Sequence, residues 1–258
     1  MKITVLTENT SVSPDIGAEH GLSLYIETDN SKILFDMGQT ELFAANASKL
    51  GVNLASVDVA VLSHGHYDHG GGLKKFLEIN PKAYVYLHKR AFEPHYNGTE
   101  KYIGLDVSLQ SSERLIFTEG ITQIRDSLTL FDCNTNKASY NLGSFGLNKK
   151  ENGVFLQDDF RHEHYLLIEE NQKQVLISGC SHKGILNIAQ WFDADAIVGG
   201  FHFSKLALDE TLANYADILN GCKTDFYTCH CTGKEQFDFM KVRMDRLNYI
   251  AAGQTIEI

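Results

Sequence analysis

Ser63-His64-Gly65-His66-Tyr67-Asp68-His69-Gly70-Gly71-Gly72 follows directly on the apolar run Val57 to Leu62. Three histidines and one carboxylate fall within six positions. Imidazole nitrogen and carboxylate oxygen are the ligands that zinc, iron and manganese accept. Alternation along an extended or tightly turned backbone sends His64 and His66 to one side and leaves Asp68 and His69 to point elsewhere, so two neighbouring metals can share this loop. A histidine-rich surface loop is the plainer alternative. Such loops are solvated and spread along the chain, whereas this one ends a buried-looking strand and opens a helix, the context that a metal motif requires.

The chain has 258 residues, 43% hydrophobic and 22% charged, which excludes a disordered or fibrous class and is ample for a buried core. It is read as one domain over residues 1–258. The net charge of −10 argues against nonspecific binding to nucleic acid or anionic membrane, because neutralising phosphates needs clustered Lys and Arg. A phosphorylated small molecule stays open, since bound metal supplies local positive charge. Five cysteines, an odd number, make a disulfide framework improbable and point to a reducing cytoplasm. The start, Met1 to Glu8, reads as a strand rather than a secretory signal, and no window reaches the ~18 apolar residues of a membrane span. Oligomeric state is not legible.

Outward from the loop, the patterns at Met1–Glu8, Leu22–Thr28 and Lys32–Phe35 predict an antiparallel meander. A helix is expected from Thr40 to about Leu50, another from Gly70 to Asn80, and a strand over Ala83–His88, which is an α/β order. From Arg90 to about Asp159 the pattern weakens into short β runs, among them Leu115–Phe117 and Leu128–Phe131. Segment 90–159 is read as an elaboration near the site. Regularity returns with a hairpin over His164–Ser178, a helix through Ile185–Trp191, a strand at Ala194–Val198, a helix from Asp209 to Asn220 and a strand at Asp225–Thr228. Both halves run meander, helix, strand, helix, strand, which suggests two similar βα halves packed together.

Three further strand ends deliver a histidine: His182 in Gly-Cys-Ser-His, His202 in Gly-Gly-Phe-His and His230 in Cys-His-Cys-Thr-Gly. In α/β sheets functional groups gather at the carboxyl ends of strands. One such histidine carries little weight, but three sharing that setting with the His64 loop point to convergence on one site. Cys229 and Cys231 form no second Cys pair and read as buried structural residues. Gly70-Gly71-Gly72 lacks the Lys and Ser/Thr of a phosphate loop and reads as tight packing at a helix start.

His64, His66, Asp68 and His69 together match the His-x-His-x-Asp-His hallmark, and the chain resembles the metallo-β-lactamase superfamily over nearly its whole length. The resemblance implies an α/β fold, the αββα four-layer sandwich. Narrower motifs, including Ala18-Glu19-His20-Gly21-Leu22-Ser23, Leu34-Phe35-Asp36-Met37-Gly38-Gln39 and His230-Cys231-Thr232-Gly233, look like the branch named for dihydropterin-(ribofuranosyl)aminobenzene-phosphate synthase. Asp36 matches the superfamily's early structural Asp and is expected to orient a ligating histidine from behind. His230 falls where the last metal-binding His is expected. The wider family also supplies a middle His and a bridging Asp, but here the corresponding strand ends in Ser178-Gly179-Cys180-Ser181-His182. His182 is therefore expected as a ligand, with Cys180 behind it; His162 and His164 are in the wrong register, and His164 reads as structural.

The resulting expectation is one or two divalent metals, zinc first, with iron or manganese fitting the same donors. His64, His66 and His182 would hold one, and Asp68, His69 and His230 the second, with Asp68 also taking the proton of the attacking water. His202, and Glu19 and His20 in an early loop, are further candidates for contact with metal or substrate. The function expected is hydrolysis of an ester, lactone or phosphoester of a small molecule by coordinated water. Two alternatives stand beside it: the pterin-forming transfer that the branch implies, and a non-catalytic metal-binding sensor, because fold does not fix function. A di-iron redox centre is a weaker third.

Overall fold

The computed structural model describes residues 1–258. The first half runs β1 (Lys2–Thr7), β2 (Ser23–Glu27), β3 (Lys32–Phe35), α1 (Leu42–Lys49), β4 (Val59–Leu62), α2 (Tyr67–Gly70), α3 (Leu73–Ile79) and β5 (Tyr84–His88). The middle holds β6 (His95–Asn97), β7 (Lys101–Tyr102), β8 (Leu115–Thr118), β9 (Ile121–Arg125), β10 (Leu128–Phe131), β11 (Leu147–Glu151) and β12 (Val154–Gln157). The second half runs β13 (Tyr165–Glu170), β14 (Lys173–Ile177), α4 (Ile185–Trp191), β15 (Ala196–Val198), α5 (Glu210–Asn220), β16 (Asp225–Thr228), α6 (Lys234–Lys241), β17 (Leu247–Tyr249) and β18 (Thr255–Glu257).

Two seven-stranded sheets form the centre, ordered β18-β1-β2-β3-β4-β5-β8 and β17-β16-β15-β14-β13-β10-β9. Strand side chains alternate between faces, and here both faces are apolar. Ile33, Phe35, Val59 and Val61 point inward against Val175, Ile177, Ala196 and Val198 of the other sheet. Their neighbours Leu34, Ala60 and Leu62 point outward onto Phe43, Leu73 and Phe76 of the first helical layer. Leu176 and Ile197 do the same against Ile185, Leu212, Leu219 and Met240 of the second. The result is four layers, helix, sheet, sheet and helix, as expected from the sequence.

The meander β1-β2-β3 and the hairpin β13-β14 are antiparallel. At the hairpin turn, Asn171 and Gln172 both have positive φ, which matches the right-handed strand twist. Strands β3, β4, β5 and β8 are parallel, as are β14, β15, β16 and β17. The carboxyl ends within each parallel set therefore share an edge.

Within 90–159, β8 extends the first sheet and β9-β10 extend the second, so the main sheets recruit part of this segment. A separate four-stranded sheet, β12-β11-β6-β7, accounts for much of the rest. The helix expected from Gly70 to Asn80 begins instead at Leu73, after a separate helical turn over Tyr67–Gly70. No helix is long and apolar enough to cross a membrane.

Candidate metal centre

The ends of five parallel strands supply the site. Asp36 follows β3, the His64 loop follows β4, Cys180 to His182 follow β14, His202 follows β15 and His230 follows the end of β16. Four residues here take left-handed backbone: Asp36 (φ 59°), Ser181 (φ 56°), His202 (φ 57°) and His230 (φ 50°). That conformation turns the chain sharply out of the sheet and is unfavourable for residues with a Cβ. The two halves also meet without a gap. A Cβ on Gly179 would lie 2.2 Å from Ser63 Oγ and 3.1 Å from His64 Nδ1, so only glycine admits this approach.

Hydrogen bonds behind the histidines settle which ring nitrogen faces the centre. Asp36 Oδ1 accepts from the Ser63 N–H at 2.7 Å, and Oδ2 accepts from Ser63 Oγ at 2.7 Å. With its one hydroxyl proton spent, Ser63 Oγ accepts from His64 Nδ1 at 2.8 Å, leaving a lone pair on His64 Nε2. His69 Nδ1 donates to the same Asp36 Oδ2 at 2.6 Å. His230 Nδ1 donates to Asn9 Oδ1 at 2.7 Å, so its Nε2 also carries a lone pair. Across the centre, His64 Nε2 lies 3.3 Å from His182 Nε2, and His69 Nε2 lies 3.3 Å from His230 Nε2. Imidazole lone pairs brought this close in a buried space match the donor set of a divalent transition metal.

Two overlapping groups result. The ligand atoms of His64, His66 and His182 all lie within 4.8 Å of one another. In the other group, Asp68 Oδ2 stands 3.4 Å from His230 Nε2 and 3.9 Å from His69 Nε2. Cys180 Sγ sits 3.1 Å from His69 Nε2 and clusters with His64 on one side and with His230 and Cys231 on the other. The thiol thus occupies the junction of the two groups, at the strand end where no aspartate is found.

Electrostatics separates the roles. Burial, reinforced by neighbouring imidazoles, drives the pKa of His64, His66 and His182 well below the ordinary value, so these rings are neutral. Burial likewise lowers His230 to about 4, against the pull of Asp68. Asp68 behaves oppositely: burial works against its charge, but His69, His20 and His230 outweigh it and hold the carboxyl well below the usual carboxylate range. Burial also opposes charge on His69, yet the Asp36 and Asp68 carboxylates push it up to about 9. In the metal-free protein a proton on His69 therefore stands where a cation would bind. Burial raises the Cys180 thiol well above its ordinary value, so only metal binding would ionise it.

A cavity of about 160 Å³ opens above these groups, lined by His20, His66, Asp68, Cys180, His182, His202 and His230, with Lys101 and Lys205 beside them. His20 Nε2 is 3.2 Å from Asp68 Oδ2, and its side chain is 57% exposed. The His202 ring lies 4.4 Å from that of His182, tilted by 59°, but joins none of the ligand groups. Glu19 does not line the cavity: its carboxylate accepts from the Gln39 and Thr40 N–H groups and from Thr40 Oγ1, fixing the loop after Asp36. His164 Nε2 bonds the Leu62 carbonyl at 2.9 Å in a structural role. Cys229 is wholly buried in the core between the sheets, while Cys231 reaches the cavity wall. A larger groove of about 540 Å³, with Asn134, Tyr140, Arg161 and Trp191 on its walls, also reaches His182.

Several participants are not evident from sequence. Glu163 accepts from the N–H groups of His182 and Lys183, and Glu8 accepts from that of His230, so two buried acids fix the loops that carry distal histidines. His95, Asp158 and His162 pack behind His66. Glu8 closes the first predicted strand and His162 is in the wrong register by sequence; the others lie in segments without hydrophobic periodicity, and no local motif marks them.

A family model described as the metallo-β-lactamase superfamily matches residues 16–182. An uncharacterised protein of Methanocaldococcus jannaschii is 31% identical over 242 residues, covering 90% of each chain. The 7,8-dihydropterin-6-methyl-4-(β-D-ribofuranosyl)-aminobenzene-5'-phosphate synthase of the same organism is 27% identical over 283 residues, covering 100% of this chain and 96% of its own. Among solved structures, a metal-dependent hydrolase of the β-lactamase superfamily superposes with a TM-score of 0.85 at 31% identity, covering 100% of this chain and 99% of its own. The fold implies binding of divalent metal, and the histidine groups supply candidate ligands for it.

Proposed function

Because the chain belongs to the metallo-β-lactamase superfamily, we propose that it is a metal-dependent hydrolase acting on a phosphorylated small molecule. The observation that carries this reading is the convergence of the His64, His69 and His230 Nε2 atoms and the Asp68 carboxylate beneath a cavity flanked by Lys101 and Lys205. His64, His66 and His182 would hold one divalent cation, zinc first, and Asp68, His69 and His230 would hold a second, with the Cys180 thiol within reach of both groups. A bound cation of this kind supplies Lewis acidity and lowers the pKa of water toward about 7.

The chain's own groups do the rest. Asp68, kept ionised by the surrounding imidazoles, accepts a hydrogen bond from the attacking water and then its proton. His20, touching the same carboxylate oxygen from the solvent side, offers that proton a way out. Lys101 and Lys205 place positive charge at the cavity wall of a chain whose net charge is −10, which favours an anionic substrate. Asp36 and Asn9 orient the imidazoles and change no bond themselves.

The test is metal analysis of the purified protein together with turnover of nitrophenyl phosphate monoesters and diesters, a nitrophenyl acetate and a lactone. Metal-loaded protein that hydrolyses neither the phosphate monoesters nor the diesters would sink the proposal, whatever it does to the acetate or the lactone. The second reading is a pterin-forming transfer, favoured by the full-length similarity to the synthase. It predicts condensation of a ribofuranosyl aminobenzene phosphate with a dihydropterin diphosphate, read as pterin product and released diphosphate.

A further inference from the structure

His66 has an unusual back. Its Nε2 is sealed from solvent and has no hydrogen-bond partner, while its Nδ1, also unpartnered, keeps contact with the cavity. Behind it lie His95 at the start of β6, Asp158 just after β12, and His162, all buried. The ligand atoms of these four residues fall within 4.8 Å of one another, which in composition resembles a third metal site.

The hydrogen bonds point to a different use. The Gly65 N–H donates to His162 Nδ1 at 2.9 Å, so the proton of that neutral ring sits on Nε2, which is 3.4 Å from Asp158 Oδ2 but makes no hydrogen bond. His162 therefore has no lone pair to offer. His95 Nδ1 lies 2.8 Å from Asp158 Oδ2 and must donate to it, while Asp158 Oδ1 accepts from the Phe160 N–H. One lone pair is left over in the cluster, on His95 Nε2, which is buried and unpartnered. A second donor faces that lone pair if His66 uses its cavity-facing Nδ1 for metal, because its Nε2 then carries the proton; the His162 ring lies over the face of His95, centroids 3.9 Å apart, and does not point its Nε2–H along the His95 lone pair. The two rings are perpendicular with centroids 5.5 Å apart, within the span of an imidazole-to-imidazole hydrogen bond.

We propose that His95 and Asp158 form a carboxylate-backed relay behind His66, His66 Nε2–H to His95 Nε2 and His95 Nδ1–H to Asp158, that holds His66 in the Nδ1-ligating orientation. His95 and Asp158 are positioning residues and touch no substrate. The arrangement gives His66 what Asp36 gives His69, but through one more imidazole and from the separate four-stranded sheet rather than from the main fold. The inference rests on His66 being a metal ligand.

Zinc affinity of the full chain, measured by competition with a chromophoric chelator, tests it. Outer hydrogen-bond partners of this kind change metal affinity by about 10–100-fold. His95→Phe, which fills the space but removes both nitrogens, is expected to lose affinity on that scale and to shift the visible bands of the cobalt-loaded protein. His95→Gln keeps an acceptor toward His66 and is expected to retain most of the affinity. Circular dichroism establishes folding; if His95→Phe does not fold, Asp158→Asn decides, with a smaller loss expected. A folded His95→Phe protein, or in its place Asp158→Asn, with wild-type affinity and cobalt spectrum overturns the relay. So does an additional metal equivalent in the wild type that His95→Phe lacks, which would make the cluster a metal site. Full metal retention by His66→Ala would instead overturn the assignment of His66 as a ligand.

Discussion

Asp36 Oδ2 lies 2.6 Å from His69 Nδ1, and neither side chain has any solvent exposure. The same carboxylate reaches His64 through Ser63, so one anion behind β3 fixes histidines of both proposed metal groups. Asp36→Asn is expected to weaken metal binding by about 10–100-fold while leaving the fold intact. Asp36→Ala also strands the buried Ser63 and His69 donors, and denaturant unfolding should show a loss of ~3–5 kcal/mol. Equal metal affinity in Asp36→Asn and wild type would remove Asp36 from this role.

His69 contributes a pH dependence of its own to the metal-free protein. Its folded-state pKa is about 9, above the ordinary 6.5, so the stabilisation from its charged form is complete below about pH 6.5 and is lost as pH rises through 9. Metal at His69 Nε2 must displace that proton. Titrating zinc into metal-free protein at pH 7.5 is expected to release protons, seen as calorimetric heats that depend on the buffer's ionisation enthalpy. Buffer-independent heats would contradict the assignment.

Removing one histidine from each group separates the proposed metals. His230→Ala is expected to carry fewer metal equivalents than wild type, and His182→Ala to lose metal from the other group. Elemental analysis of proteins purified in parallel reads both ratios. An undiminished ratio in either variant means that histidine is not a ligand.

Gly179 is where the two halves close on each other. Gly179→Ala puts a methyl group against Ser63 Oγ and His64 Nδ1 in a packed interior, with an expected cost of about 1–3 kcal/mol and weaker metal binding in what still folds. Thermal unfolding and chelator competition measure the two effects. A variant as stable as wild type would show that the contact relaxes freely.

If the substrate is phosphorylated, replacing both Lys101 and Lys205 by Ala should raise KM for it roughly tenfold, equal to about 1.4 kcal/mol, with a smaller change in kcat. Steady-state kinetics at low ionic strength gives the split. An unchanged KM would take the lysines out of substrate binding.

The hallmark loop was legible because β4 and its histidines are contiguous, and the distal histidines because each ends a strand of recognisable alternation. The four layers were legible only through the family resemblance that this loop carries; in the structure, runs such as Val175 to Ile177 bury both faces, as central strands do. The supports were not. Glu8, Glu163, His95 and Asp158 act through buried hydrogen bonds to partners far along the chain, and such pairing leaves no periodicity or spacing. Strands β17 and β18 are three residues each, too short to show alternation, and β18 is held by its pairing with β1 from the opposite end of the chain. Glu19 misled because proximity to the centre in sequence says nothing about which way a carboxylate turns; the loop after Asp36 needed an acceptor and took it.

The left-handed backbone at Asp36, Ser181, His202 and His230 bears on how this protein could change. Glycine would adopt those dihedrals without strain, so variants selected only for heat resistance have an incentive to place glycine at Ser181 or His202. At His202 that exchange would also strip an imidazole from the cavity wall. Relaxed backbone and an imidazole on the cavity wall are therefore mutually exclusive at that strand end.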